Sequence, residues 1–390
     1  MYFRRNHYIN ETKKWQHIIK IVIASNTSWS IYNFRKGLIN YLIKSGFEVI
    51  VVAPTDAYSE KLRDLGCKLE HIPIYSGSIN PFKDIYLFWK IRLIYKRIKP
   101  SLVIHYTIKL NIYGTIAAKI SSLKSIAVTT GLGYTFTKRN WITYTAKSLY
   151  KLALRHANEV WFLNRDDRET FISEGIINEQ RTKLLHSEGV DTKFFSPIKS
   201  NLIDENIRFL LISRMLWDKG IAEFVQAARL LRKSYPNAIF QLLGPCQEAN
   251  PSAISRDEIA QWESDGSIEY LGVTDDVRSY IANADCVVLP SFYREGVPRV
   301  LMEAASMEKP IITTDNVGCR DVVIDNVTGF LCQIKNPNQL AACCLKLIDM
   351  TPSERMRMGA AARDMVRKNF DEEIIINQYI DLLRRQKIIQ

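Results

Sequence analysis

Cys286-Val287-Val288-Leu289-Pro290-Ser291-Phe292-Tyr293-Arg294-Glu295-Gly296-Val297-Pro298-Arg299-Val300-Leu301-Met302-Glu303-Ala304 reads as a short buried strand, a polar loop and the first turns of a helix. Gly296 permits close backbone approach, and Pro298 with the residues after it starts a helix whose leading N–H groups lack intrahelical partners. Such a helix start can hold an anion. Glu295 lies in the loop and Glu303 about one turn into the helix, so two carboxylates bracket the anion position. This suits a ligand with phosphate in its middle and hydroxyls on both sides, with Glu303 accepting from a ribose diol and Glu295 facing a sugar.

The same strand-then-helix alternation runs outward in both directions. Strand-like runs fall at Ile18–Ala24, Glu48–Ala53, Leu69–Ile74, Leu102–Tyr106, Ser125–Thr129, Glu159–Leu163 and Lys183–His186, with amphipathic segments between them. After the polar stretch Lys199–Asn206 the pattern restarts at Arg208–Ile212, Ile239–Leu243, Ile268–Leu271, Cys286–Leu289 and Pro310–Thr314, and beyond Asn336 it is wholly helical. Strands alternating with helices imply βαβ units on parallel sheets, hence two doubly wound α/β domains. The expected organisation is a basic extension over 1–17, a first domain over 18–200, a second over 201–369, and a helix over 370–390 that crosses back to the first domain.

Composition narrows the class. With 390 residues, 47% of them hydrophobic, the chain can build sizeable cores. No apolar run approaches the roughly 18 residues of a spanning helix, and the polar N-terminus does not read as a secretory signal. Seven cysteines without metal-ligand spacing suggest reduced thiols in a cytoplasmic protein. The net charge of +12 is unevenly spread: residues 1–200 carry 31 Lys and Arg against 15 Asp and Glu, whereas residues 201–390 carry 22 against 26. A basic first half admits nucleic acid, an anionic membrane surface or a phosphorylated substrate as partner.

Ligands of doubly wound sheets sit beyond the carboxyl ends of strands. After the first strand stands Ser25-Asn26-Thr27-Ser28-Trp29, which is not a dinucleotide fingerprint but offers Asn26 to a polar ligand. After the first strand of the second half, Ser213-Arg214-Met215-Leu216-Trp217-Asp218-Lys219-Gly220 puts Arg214 and Lys219 where both could meet a diphosphate. On the residues alone, a solvated loop explains that pair better.

Taken together, these segments resemble glycosyltransferase family 4, retaining enzymes of the GT-B fold with two facing Rossmann-like domains and a signature pair of glutamates eight residues apart. The resemblance covers Ile18 to about Asn369 and includes Leu243-Gly244-Pro245, Tyr270-Leu271-Gly272, Asp275-Asp276-Val277, Gly318-Cys319-Arg320-Asp321-Val322-Val323 and Thr328-Gly329-Phe330. It is greatest to bacterial enzymes that extend lipid-linked oligosaccharides for capsule, O-antigen or protein glycosylation. It implies a UDP-sugar donor and a polyprenyl-diphosphate-linked saccharide acceptor. Arg214 and Lys219 would bind the donor diphosphate, Glu303 the ribose, and Glu295 with Gly296, Val297 and Pro298 the donor sugar; the backbone at Val300 and Leu301 would take phosphate oxygens, with Gly244 and Pro245 lining the donor side.

On the acceptor side the resemblance places Asn26, Lys109, Thr130, Gly131 and Gly133. Many members carry a histidine where Thr130 stands, which argues against histidine-assisted chemistry here. His105, inside a strand pattern, reads as a core residue, and His186 as an inter-domain residue. The implied mechanism is leaving-group stabilisation with retention. The chain contains no Asp-x-Asp triplet, so neither a metal nor another cofactor is expected.

Asn80–Pro100 interleaves Phe82, Ile85, Phe88, Trp89, Leu93 and Ile94 with Lys83, Lys90, Arg92, Lys96, Arg97 and Lys99. That pattern suits an interfacial helix on an anionic membrane, and Phe136–Tyr144 is a second basic aromatic stretch. The expectation is peripheral attachment to the inner face of the cytoplasmic membrane, with no nucleic-acid partner. Two rivals stand beside it: a catalytically silent sugar-nucleotide-binding or scaffold subunit, and a basic nucleic-acid-binding protein, for which no helix-turn-helix, zinc-finger or RNP pattern exists.

Overall fold

β-Branched runs become strands here because helices cover both faces of the sheets. In the computed structural model, which describes residues 18–74, 80–132, 141–200, 202, 204–246, 250 and 252–390, two such sheets carry the chain. The extension over 1–17, Gly133 and most of the Phe136–Tyr144 stretch lie outside the described residues.

The first sheet comprises β1 (Lys20–Ala24), β2 (Glu48–Ala53), β3 (Lys68–His71), β4 (Leu102–Tyr106), β5 (Ser125–Thr129), β6 (Glu159–Phe162) and β7 (Thr182–Leu184), in the order β3-β2-β1-β4-β5-β6-β7. The second comprises β8 (Ile207–Ile212), β9 (Ala238–Leu243), β10 (Glu269–Tyr270), β11 (Cys286–Leu289), β12 (Ile311–Thr314) and β13 (Gly329–Cys332), in the order β10-β9-β8-β11-β12-β13. Every pairing within both sheets is parallel. Both sheets therefore reverse strand order once, between β1 and β4 and between β8 and β11, and each reversal opens a crevice at the strands' carboxyl ends. The strand-like runs legible in the sequence end at Thr314; β13 extends the second sheet beyond them, pairing Ile312 with Phe330 and Thr314 with Cys332.

Helices α1 (Ser28–Lys44), α2 (Ser59–Asp64), α3 (Pro81–Ile98), α4 (Thr115–Ile120), α5 (Trp141–Leu154) and α6 (Arg165–Ser173) flank the first sheet, and a π-helical turn, Leu110–Gly114, leads into α4. The second sheet is flanked by α7 (Ile221–Arg232), α8 (Arg256–Ser264), α9 (Arg278–Asn283), α10 (Arg299–Ser306), α11 (Pro337–Asp349) and α12 (Pro352–Asn369). Val190 and Phe195, ahead of residue 200, already pack in an apolar cluster of the second sheet. The last helix, α13 (Glu372–Arg385), buries Ile375, Tyr379, Leu382 and Leu383 in the core of the first sheet.

The two strands of chain that cross between domains run side by side. Val190 N–H donates to Phe370 O at 2.9 Å and Glu372 N–H to Val190 O at 3.0 Å. Beside them Arg35 pairs with Glu188, lies 3.9 Å over the Tyr106 ring, and Tyr106 shares a 2.7 Å hydrogen bond with Tyr379. Burial raises the Glu188 carboxyl pKa, and the Arg35 guanidinium opposes that rise. Charges withdrawn from water in this way must be paired, so this cluster ties α1, β4, the crossover and α13 into one joint.

Candidate functional site

Two loops of the second domain, one on each side of its strand-order reversal, meet at Asp218. Its backbone oxygen accepts from the N–H groups of Phe292 and Tyr293 at 3.0 and 3.1 Å. That lacing sets Lys219, in the loop after β8, against Glu295, in the loop after β11, and the two form an ion pair. Both side chains are only slightly exposed, so water screens the pair poorly. Ser291 Oγ lies 3.0 Å from Glu295 Oε1, and Lys219 Nζ lies 5.2 Å from the centre of the Tyr293 ring. Arg214 stands exposed in the same loop as Lys219.

The strand-end glycines explain how these loops come so close. Gly220, at φ +77°, faces the carbonyl of Pro290, which a Cβ would meet at 2.1 Å. Gly244, at φ +141°, lies under Ser213, whose carbonyl oxygen a Cβ would meet at 1.9 Å. Next to it the Pro245 carbonyl accepts from Met215 N–H at 2.9 Å. Gly244 and Pro245 thus brace the loop that carries Arg214 and Lys219.

Helix α10 begins at Arg299 after Pro298, which supplies no side-chain cap, so its first N–H groups keep their donor capacity for a ligand. Leu301 is buried beneath this turn and Val300 is half-buried beside it. Glu303 accepts from Arg299 Nε at 2.9 Å. Burial raises its carboxyl pKa, with Arg299 opposing the rise. Arg299 also donates to Asn33 O of α1 and lies 5.5 Å from the centre of the Phe34 ring, so the first domain reaches the same helix start.

The first domain closes against this loop backbone to backbone. A Cβ on Gly131, which sits at φ +116°, would lie 2.8 Å from Gly296 N, and a Cβ on Gly296 would lie 2.5 Å from Thr130 O. Val297 packs against apolar clusters of both sheets. Asn164, the N-cap of α6, donates to Gly296 O at 2.9 Å. Thr130, Gly131, Glu295, Gly296, Val297 and Pro298 are therefore brought together. Asn164 and Asn33 join them unannounced by the motifs, and so does Gly318, which opens a motif that assigns it no role; a Cβ on Gly318 would meet Gly296 O at 2.3 Å. A strand-end asparagine opening a helix with an acidic first turn is the sequence signal that marks Asn164.

Two further acceptor-side candidates have other partners. Asn26 is half-buried at the carboxyl end of β1, within 3.4 Å of Ser25 Oγ. Lys109 is drawn onto α3 by Asp84, 2.7 Å away, which also accepts from the Tyr113 hydroxyl at 2.9 Å. His105 is a core residue, as its strand pattern suggests: Nε2 lies 2.9 Å from the Tyr95 hydroxyl, and burial lowers its pKa to about 3. His186 stands exposed at φ +67° near Arg165 and Asp321. Among the described residues no cluster of three or more His, Cys, Asp and Glu side chains is placed to hold a metal ion.

Known proteins resemble the chain along most of its length. Residues 20–164 match the family described as glycosyl transferase 4-like, and residues 193–365 match glycosyl transferases group 1. The chain is 31% identical to the N,N'-diacetylbacillosaminyl-diphospho-undecaprenol alpha-1,3-N-acetylgalactosaminyltransferase of Campylobacter jejuni, over 94% of this chain and 99% of that one. It is 24% identical to the capsular polysaccharide biosynthesis glycosyltransferase CapM of Staphylococcus aureus, over 87% and 90%. Its fold superposes on Anabaena HepE in complex with UDP-glucose with a TM-score of 0.78 at 19% identity, covering 94% of this chain and 100% of that one. The chain belongs to this family of glycosyltransferases and has their GT-B fold.

Proposed function

We propose that the protein transfers a hexose or N-acetylhexosamine, with retention of configuration, from a UDP-sugar to a polyprenyl-diphosphate-linked saccharide in the assembly of a surface polysaccharide or glycan. The observation that carries this reading is the meeting of Lys219, Glu295 and the start of α10 at one crevice, roofed by Thr130 and Gly131. Arg214, Lys219 and the α10 N–H groups supply fixed positive potential where a departing diphosphate gains charge. Glu303 receives the ribose hydroxyls and Glu295 the donor sugar. The C1–O bond to the β-phosphate breaks, the acceptor oxygen bonds C1 from the same face, and the acceptor proton passes to the departing phosphate oxygen. Charge neutralisation by these groups needs no metal cofactor. The relative's acceptor, a diphospho-undecaprenol-linked sugar, supports the same class of acceptor here.

The acceptor's lipid calls for a membrane surface, and α3 offers one. Phe82 is 80% exposed, and Ile85, Tyr86, Trp89 and Leu93 are each about half exposed or more, all on one stripe of the helix. Leu87, Ile91, Ile94 and Tyr95 on the opposite stripe hold α3 to the sheet. Lys90 and Arg92 stand 6.0 and 5.2 Å from the Tyr86 and Trp89 rings, beside Lys83 and Lys96. An exposed apolar stripe flanked by cations fits anionic headgroups over acyl chains. Among the described residues no helix is long and apolar enough to cross a membrane. The exposed stripe of α3 supports peripheral attachment at the inner face of the cytoplasmic membrane as the proposed location.

The test is UDP release from UDP-GalNAc, UDP-GlcNAc, UDP-galactose and UDP-glucose, each with an undecaprenyl-diphosphate-linked monosaccharide, with NMR assignment of the product's anomeric configuration. Turnover of one donor to an α-linked product is expected. Binding of UDP without turnover of any donor would point to the silent subunit instead.

A further inference from the structure

Arg294 stands next to Glu295, yet its side chain leaves the donor crevice and crosses to the other domain. Its Nε donates to Asp167 Oδ1 at 2.6 Å and its Nη2 to Thr170 Oγ1 at 2.8 Å, both on α6 of the first domain. The Asp167 side chain is 1% exposed. Asn164, at the start of the same helix, donates to Gly296 O at 2.9 Å and lies 3.1 Å from Asp167 Oδ2. One helix start thus grips the side chain before Glu295 and the carbonyl after it. From its own domain the Glu295 carboxylate is held by Lys219 and Ser291.

We infer that Arg294 is a positioning residue whose ion pair with Asp167 couples closure of the two domains to the placement of Glu295 against the donor sugar. A buried carboxylate is costly unless a cation meets it, and Arg294 reaches Asp167 only when the domains are together. Closure is therefore rewarded at the residue adjoining the one that must meet the sugar. The ion pair lies outside the groups assigned to the diphosphate, Arg214, Lys219 and the α10 N–H groups. Loss of Arg294 should accordingly lower turnover while leaving UDP affinity in place, a split that follows when geometry rather than ground-state binding is lost.

This inference rests on the proposed function, and the test separates the two. With the donor and acceptor that turn over fastest in the panel above, Arg294→Ala in the full chain should lower kcat about 30-fold or more, while the Kd for UDP by calorimetry stays within about threefold. Asp167→Asn, nearly isosteric, should show the same split, and Arg294→Lys should recover about fivefold by restoring charge without the fork. The charge-reversed pair Arg294→Asp with Asp167→Arg should exceed either single variant by about tenfold. Wild-type kcat in Arg294→Ala beside an inactive Glu295→Gln would overturn this inference alone. So would UDP affinity falling in proportion to kcat, which would make Arg294 a direct ligand, or a reversed pair no better than its singles. Wild-type turnover in Glu295→Gln would overturn the functional reading and this inference together.

Discussion

The two sheets share a strand order but spend their polar residues differently. In the second domain the site comes from two loops at the reversal between β8 and β11, with Arg214, Lys219 and Glu295 inside them and Glu303 on the helix that follows the second. In the first domain the residues that complete it are scattered: Asn33 on α1, Thr130 and Gly131 after β5, Asn164 and Asp167 at the start of α6. The excess positive charge nevertheless belongs to the first domain. Cations that hold a ligand are few and fixed by loops, whereas those that face a membrane are many and lie along a helix. The count of charges therefore points to one surface and their placement to another.

Removing the placed charges of the second domain should have the largest consequence. Lys219→Ala and Glu303→Gln should each lower turnover by about 10²-fold or more, read as kcat/KM in the UDP-release assay. If both variants turned over like the wild type, the donor site would not be in the second-domain loops at all. Removing closure should cost nearly as much. In Gly296→Ala the new Cβ has no room beside Thr130 O, so the domains must part. A displacement of about 1 Å at a reacting group costs about 10²-fold. Small-angle scattering should then report a larger radius of gyration, and an unchanged radius with full activity would show that the carbonyl yields instead.

The same contrast decides what the sequence discloses. Runs such as Val49–Ala53 and Cys286–Leu289 are legible because covered parallel strands are apolar almost continuously. β13 escapes, being four residues that begin with glycine and lack a β-branched side chain. The donor loop is legible because its strand, glycine, proline and glutamates lie within one short segment. The inter-domain contacts of Asn164 and Asp167 are not, since their partners Gly296 and Arg294 are more than a hundred residues away. Lys109 shows the opposite failure: its position after β4 suits a ligand, but Asp84 on α3 competes for the ammonium, and no local pattern reveals that.

The cations spread along α3 can be tested apart from the placed ones. Trp89→Glu with Leu93→Asp adds two negative charges to the exposed stripe without touching the residues that hold α3 to the sheet. Binding to vesicles rich in anionic lipid should fall about tenfold, while UDP affinity stays unchanged. Equal binding by variant and wild type would take the membrane away from α3.

The smallest expected effect lies in the interiors. Beneath the second sheet the buried polar atoms include the thiols of Cys286 and Cys344, whose pKa burial raises well above the ordinary value, so they stay neutral at every pH of interest. Beneath the first sheet lies His105, with Gly114 against its ring, Tyr95 on Nε2 and Thr115 Oγ1 3.4 Å from Nδ1. Its pKa is about 3 in the folded chain and about 6.5 when unfolded, so below pH 6.5 the unfolded state takes up a proton that the folded state refuses. Its contribution is fully present above pH 6.5 and is lost as pH falls, at up to about 1.4 kcal/mol per pH unit well below 6.5. Urea unfolding at pH 7 and pH 5 should therefore lose less stability on acidification in His105→Gln than in wild type. The same pH dependence in both chains would mean that the imidazole is already charged where it lies, against its burial.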